Sequence, residues 1–90
     1  MEKRQQLEAM DKMLREFEDL KNSQTSILKK IAQIEADNIN LGIQLLEKEL
    51  PDIHEQVDAS LEKISALTEN FQNHRDEFVR KNKLDEEVIV

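Results

Sequence analysis

Two histidines, His54 and His74, are the residues best suited to chemistry, and each has a carboxylate nearby along the chain: Asp58 beside His54, Glu77 beside His74. An imidazole next to a carboxylate is the beginning of a metal site or of a general acid–base pair. The two histidines are twenty residues apart, roughly 30 Å along a straight helix, so one chain cannot bring both to a shared ion. One imidazole and one carboxylate are too few ligands to hold a metal. The chain has no cysteine, hence no thiolate, and no Gly-rich phosphate loop or Ser-His-Asp arrangement appears in it. The expectation is a protein that is not an enzyme, with no catalytic residues, no cofactor and no metal. His54 is read as a solvated residue beside a turn, His74 as a polar layer in a helical seam.

The elements that must position these residues are helical. Met10, Met13, Phe17, Leu20, Gln24, Ile27, Ile31, Ile34, Asn38, Leu41 and Leu45 recur in alternating steps of three and four, the period that keeps one stripe of a helix facing another helix. Leu50, Ile53, Val57, Ser60, Ile64, Leu67, Phe71, His74 and Phe78 follow the same rule on a shifted frame. The shift falls at Pro51, the only proline. The expected fold is therefore all-α: an antiparallel two-helix hairpin over residues 1–90, with helix one at about 3–48, a turn at about 49–51 and helix two at about 52–86.

A reversal near residue 49 sets Gln24 against His74 and Asn38 against Ser60. Two coincident polar layers favour that register, because a polar group buried against an apolar one costs roughly 1–3 kcal/mol. A turn near Gly42 is the competing register; it keeps one match, Gln24 with Ser60, and leaves the C-terminal stretch overhanging. Residues 22–26, Asn-Ser-Gln-Thr-Ser, are five weak helix formers in succession, and a break there would give three helices. The acidic Asp85, Glu86 and Glu87 are expected near Lys12 and Arg15, and Val88 near Met10. A free C-terminal Val90 would also fit a carboxylate-capturing groove.

Composition narrows the function classes. Charged residues make up 37% of the chain, with 20 acidic against 13 basic and a net charge of −7, which repels phosphate backbones and anionic lipid. No nucleic acid partner and no small-molecule substrate are expected. No apolar run is long enough for a signal peptide or a membrane span, so the expected location is cytoplasmic, with export as part of a complex left open. A two-helix rod buries too little to be self-sufficient, and apolar residues remain outside the seam. Leu7, Leu14, Leu28 and Leu61 form an apolar ridge on one edge, and Ile39, Ile43, Leu46 and Leu50 recur near the turn. Contiguous exposed apolar surface marks a partner site. Another helical protein, or a second copy, is expected to dock there and complete a four-helix bundle.

In length, hairpin shape, lack of Cys and acidic helical composition, the chain resembles the small helical proteins of Gram-positive type VII secretion. These include the Trp-x-Gly hairpins and the accessories that bind the helical N-terminal domain of LXG-type toxins. Asn40-Leu41-Gly42 stands where Trp-x-Gly would, without the Trp. The family's export signal, an aromatic followed four residues later by an acid, is also absent, since Phe71 is followed by Arg75 and Phe78 by Asn82. The resemblance implies an accessory or targeting chaperone lacking its own export signal. The other expectations are a self-assembling coiled-coil scaffold or spacer and a regulatory inhibitor of another protein.

Overall fold

The computed structural model describes residues 2–84. It is an all-α hairpin of two antiparallel helices, α1 (Lys3–Leu41) and α2 (Gln44–Lys81), forming a rod of 66 × 21 × 16 Å. The start of α1 is closed by the Glu2 N–H donating to Gln5 Oε1 at 3.2 Å, which satisfies a donor left open by the helix geometry. The weak helix formers at 22–26 stay helical. Thr25 Oγ1 donates back to the Lys21 carbonyl at 3.0 Å, a bond that lets a hydroxyl residue sit within a helix.

The turn lies at Gly42–Ile43, at the competing position near Gly42, which corrects the favoured reversal at 49–51 and the expected end of helix one near Lys48. Gly42 is left-handed, at φ 65° and ψ 34°, and its N–H donates to the Asn38 carbonyl at 2.7 Å. This is the usual glycine stop of a helix. A Cβ on Gly42 would meet nothing within 4 Å, so backbone conformation and not space calls for glycine here. Asn38, only 4% exposed, locks the turn from inside. Its Oδ1 accepts the Ile43 N–H at 3.0 Å and its Nδ2 donates to the Ile43 carbonyl at 3.1 Å. Pro51 sits inside α2 rather than at its start, with Leu50 buried just before it. The glycine stop and the asparagine clamp together outweigh the preference of proline for a first helical turn.

The register is fixed by three cross-helix contacts. Phe17 meets Phe71 edge to face with centroids 5.8 Å apart, Arg75 Nε donates to Asp11 Oδ1 at 2.8 Å, and His54 Nδ1 lies 2.8 Å from Glu35 Oε1. Stepping by sevens from the aromatic pair, Met10 stands opposite Phe78, Gln24 opposite Ile64, Ile31 opposite Val57 and Asn38 opposite Leu50. Neither register expected from the sequence is adopted. Gln24 faces Ile64 instead of His74 or Ser60, and Asn38 spends its side chain on the turn instead of on Ser60.

Beyond α2, Lys83 is left-handed at φ 53°, and the Leu84 N–H returns to the Val79 carbonyl at 3.1 Å, burying Leu84. The expected contacts of Asp85, Glu86, Glu87 and Val88 and the C-terminal carboxylate lie outside the described residues.

Candidate partner-binding edge

Each helix carries three adjacent rows of residues at seven-residue spacing, and the hairpin uses only two of them. The central rows face each other as described. The second rows, Leu7, Leu14, Lys21, Leu28 and Glu35 on α1 with His54, Leu61, Thr68 and Arg75 on α2, are all half-buried and close one edge of the rod. The third row of α1, Met13, Leu20, Ile27, Ile34 and Leu41, is left 41–72% exposed. On α2 the matching row contains Ile53 and Leu67, 46% and 53% exposed, with half-buried Ser60 between them and exposed His74 beyond. In an antiparallel pair, corresponding flanking rows lie on the same side. The two third rows therefore make a single open edge.

This arrangement reverses the expected assignment of the leucines. Leu7, Leu14, Leu28 and Leu61 belong to the hairpin's own seam and are not a free ridge. The residues placed in the seam by their spacing, Met13, Leu20, Ile27, Ile34, Ile53 and Leu67, form the free one. The physical reason lies in the polar members of the closed rows, which find partners: Asp11 flanks this edge and takes Arg75, Glu35 takes His54, and the Thr68 hydroxyl donates to the Ile64 carbonyl at 2.7 Å. Lys21 keeps its ammonium 3.7 Å from Glu18 while its stem lies in the seam. The sequence signal for this edge is the complementarity of Asp11 with Arg75 and of Glu35 with His54 across the two helices.

Near the turn, Ile39 and Ile43 are exposed and Leu46 is half-buried. Leu46 lines a groove of about 180 Å³ with Glu35, Asn38 and Leu50. On the open edge, Met13, Glu16, Phe17 and Leu20 line a groove of about 240 Å³. That groove is apolar with a single carboxylate at its rim.

The residues suited to chemistry take structural places. His54 is held by Glu35, and Asp58 is exposed. His74 is exposed and stacks on Phe71 with ring planes 15° apart, so it is not a buried layer. Glu77 pairs with Arg80, whose hydrogen bond holds the Glu77 carboxyl below the usual carboxylate range. The hydrogen bond to Asp11 is the main cause holding the Arg75 guanidinium above its ordinary value. Among the described residues there is no group of three potential metal ligands, and no helix is long and apolar enough to cross a membrane.

No family model matches the chain, and no curated protein or solved structure is similar enough to count as a match.

Proposed function

We propose that this chain is a non-enzymatic protein–protein interaction module whose open edge is covered by a second helical hairpin to complete a four-helix bundle. What supports the reading is the row Met13, Leu20, Ile27, Ile34 and Leu41, with every member more than 40% exposed. Scattered surface leucines need no explanation, but an unbroken apolar row along the length of a rod does. A helix of matching pitch would cover it by ordinary knobs-into-holes packing. The sharper form is the secretion accessory, in which the open edge takes the helical domain of a toxin. The second form is a scaffold in which two copies share the edge, and the self-matching of the two rows favours it.

The test is to purify the tagged chain from its own host in one step beside a Leu20→Lys/Ile34→Lys variant, with sedimentation and circular dichroism on both. The wild type should sediment as a complex larger than one chain, and the variant as a single chain of unchanged helicity. A wild type that leaves its host as a single helical chain would sink the reading. So would a variant that loses its helical signal, because those residues would then be core.

A further inference from the structure

We infer that the occupant of the open edge is a second copy of this chain, packed antiparallel about a two-fold axis that passes beside Ile27 and Ser60. The inference rests on the interaction-module reading and names its partner.

The first observation is that both halves of the edge are symmetric about one level of the rod. On α1 the row runs Met13, Leu20, Ile27, Ile34, Leu41, with Ile27 at its middle. On α2 the exposed aliphatics Ile53 and Leu67 are equally spaced about Ser60. Ile27 lies ten residues after Phe17 and Ser60 eleven before Phe71, and those two rings are in contact. The two midpoints are therefore within about one helical rise, roughly 1.5 Å, of a common level. A two-fold axis across the rod at that level lays α1 on α1 and α2 on α2 of the second copy. Met13 then meets Leu41, Leu20 meets Ile34, Ile27 meets itself, Ile53 meets Leu67, and the small Ser60 meets itself. Each exposed aliphatic of the two rows finds another, as an isologous interface requires, and at the ends of the α2 row half-buried Leu46 meets the exposed His74 ring.

The second observation is area. About an axis at Ile27 the copies overlap from Met13 to Leu41, roughly 42 Å, and because both helices face the second copy, a strip as wide as the 16 Å dimension of the rod covers on the order of 670 Å². Two copies would bury about 1,300 Å² in all, within the range of stable protein–protein interfaces.

The third is charge. With a net charge of −7, a second copy is excluded from any acidic face. On α2 the acids Glu55, Glu62, Glu69 and Asp76 recur every seven residues and are all exposed, but this row lies away from the open edge. The rows bordering the open edge mix signs, with Glu16, Lys30 and Asp37 on α1 and Glu49, Lys63 and Glu77 on α2. The face that would meet its copy thus carries little of the net charge. The axis does bring Glu16 near Asp37 of the second copy, so association should tighten as salt screens that rim pair and the net charge.

The experiment is to weigh the purified recombinant chain by light scattering across a concentration series at low and high salt. Ile27→Lys, Ile27→Cys and Thr25→Cys variants are run alongside; the chain's lack of native cysteine makes the thiol probes clean. The expected result is twice the 10.6 kDa chain mass, with the dimer dissociating at least tenfold more readily at low salt. Ile27→Lys should be a helical monomer, and Ile27→Cys should close a disulfide-linked dimer under mild oxidation while Thr25→Cys does not. A helical monomer at every concentration would overturn the second copy as occupant, yet leave the interaction reading to be judged on complexes from the host. A dimer that cross-links in the Thr25→Cys variant but not in the Ile27→Cys variant would overturn the two-fold axis placed here.

Discussion

The two edges of the hairpin differ in a way opposite to first intuition. The closed edge contains Asp11, Lys21, Glu35, His54, Thr68 and Arg75 among its leucines, whereas the open edge of α1 is aliphatic at Met13, Leu20, Ile27, Ile34 and Leu41. A lone hairpin seeking only to hide apolar surface would close the other way. The closed edge is the one whose polar groups answer one another across the helices, Asp11 to Arg75 and Glu35 to His54, and these pairs fix register and orientation more than they stabilise. The open edge, aliphatic on α1 and interrupted on α2 by Ser60 and His74, carries no such instruction within the chain. It is the surface that the proposed partner would cover, and the comparison teaches that the more hydrophobic row need not be the core of a single copy.

The comparison is broken most severely by charging the closed edge. Leu14→Lys/Leu28→Lys should cost about 4 kcal/mol or more and abolish the helical signal in circular dichroism. The same change at Leu20 and Ile34 should alter the stability of the isolated chain by only about 0.5 kcal/mol. Full helicity in Leu14→Lys/Leu28→Lys would exchange the roles of the two edges.

Next in size is the turn that sets which edge closes. Asn38→Ala strips both side-chain bonds from Ile43 and should destabilise by about 2 kcal/mol in urea unfolding. A loss below about 0.5 kcal/mol would mean that the clamp does not hold the turn. The smallest effect is expected at the ion pair. A double-mutant cycle on Asp11→Asn and Arg75→Gln should give a coupling of about 0.5–1 kcal/mol that shrinks with salt, because both side chains are partly exposed. No coupling would leave the choice of edge to packing alone.

Much of this was legible in the residues. The all-α hairpin follows from the three-and-four spacing. The central rows Met10, Phe17, Ile31 and Val57, Ile64, Phe71, Phe78 are where that spacing puts them. The flanks were not legible from apolarity, because three adjacent rows on α1 are largely apolar and a hairpin covers two. The spacing favours the reversal at 49–51 over the one near Gly42 for a related reason: Pro51 marks a helix start, whereas Gly42 and Asn38 act jointly as stop and clamp, and Asn38 also fits the pattern of a buried polar layer. Reading Asn38 with Gly42 four residues on, as a helix end, would have placed the turn. Matching Asp11 to Arg75 and Glu35 to His54 would then have chosen the edge.

The most direct test compares two neighbours in the chain. Ile27 and Leu28 are adjacent in sequence but lie on opposite edges, and the chain has no other thiol to confuse the readout. Single Ile27→Cys and Leu28→Cys variants, diluted under reducing conditions until light scattering reports single chains, are reacted with a small thiol reagent. The Ile27→Cys variant should label at least tenfold faster than the Leu28→Cys variant. Equal rates, or faster labelling of the Leu28→Cys variant, would contradict the assignment of the open edge.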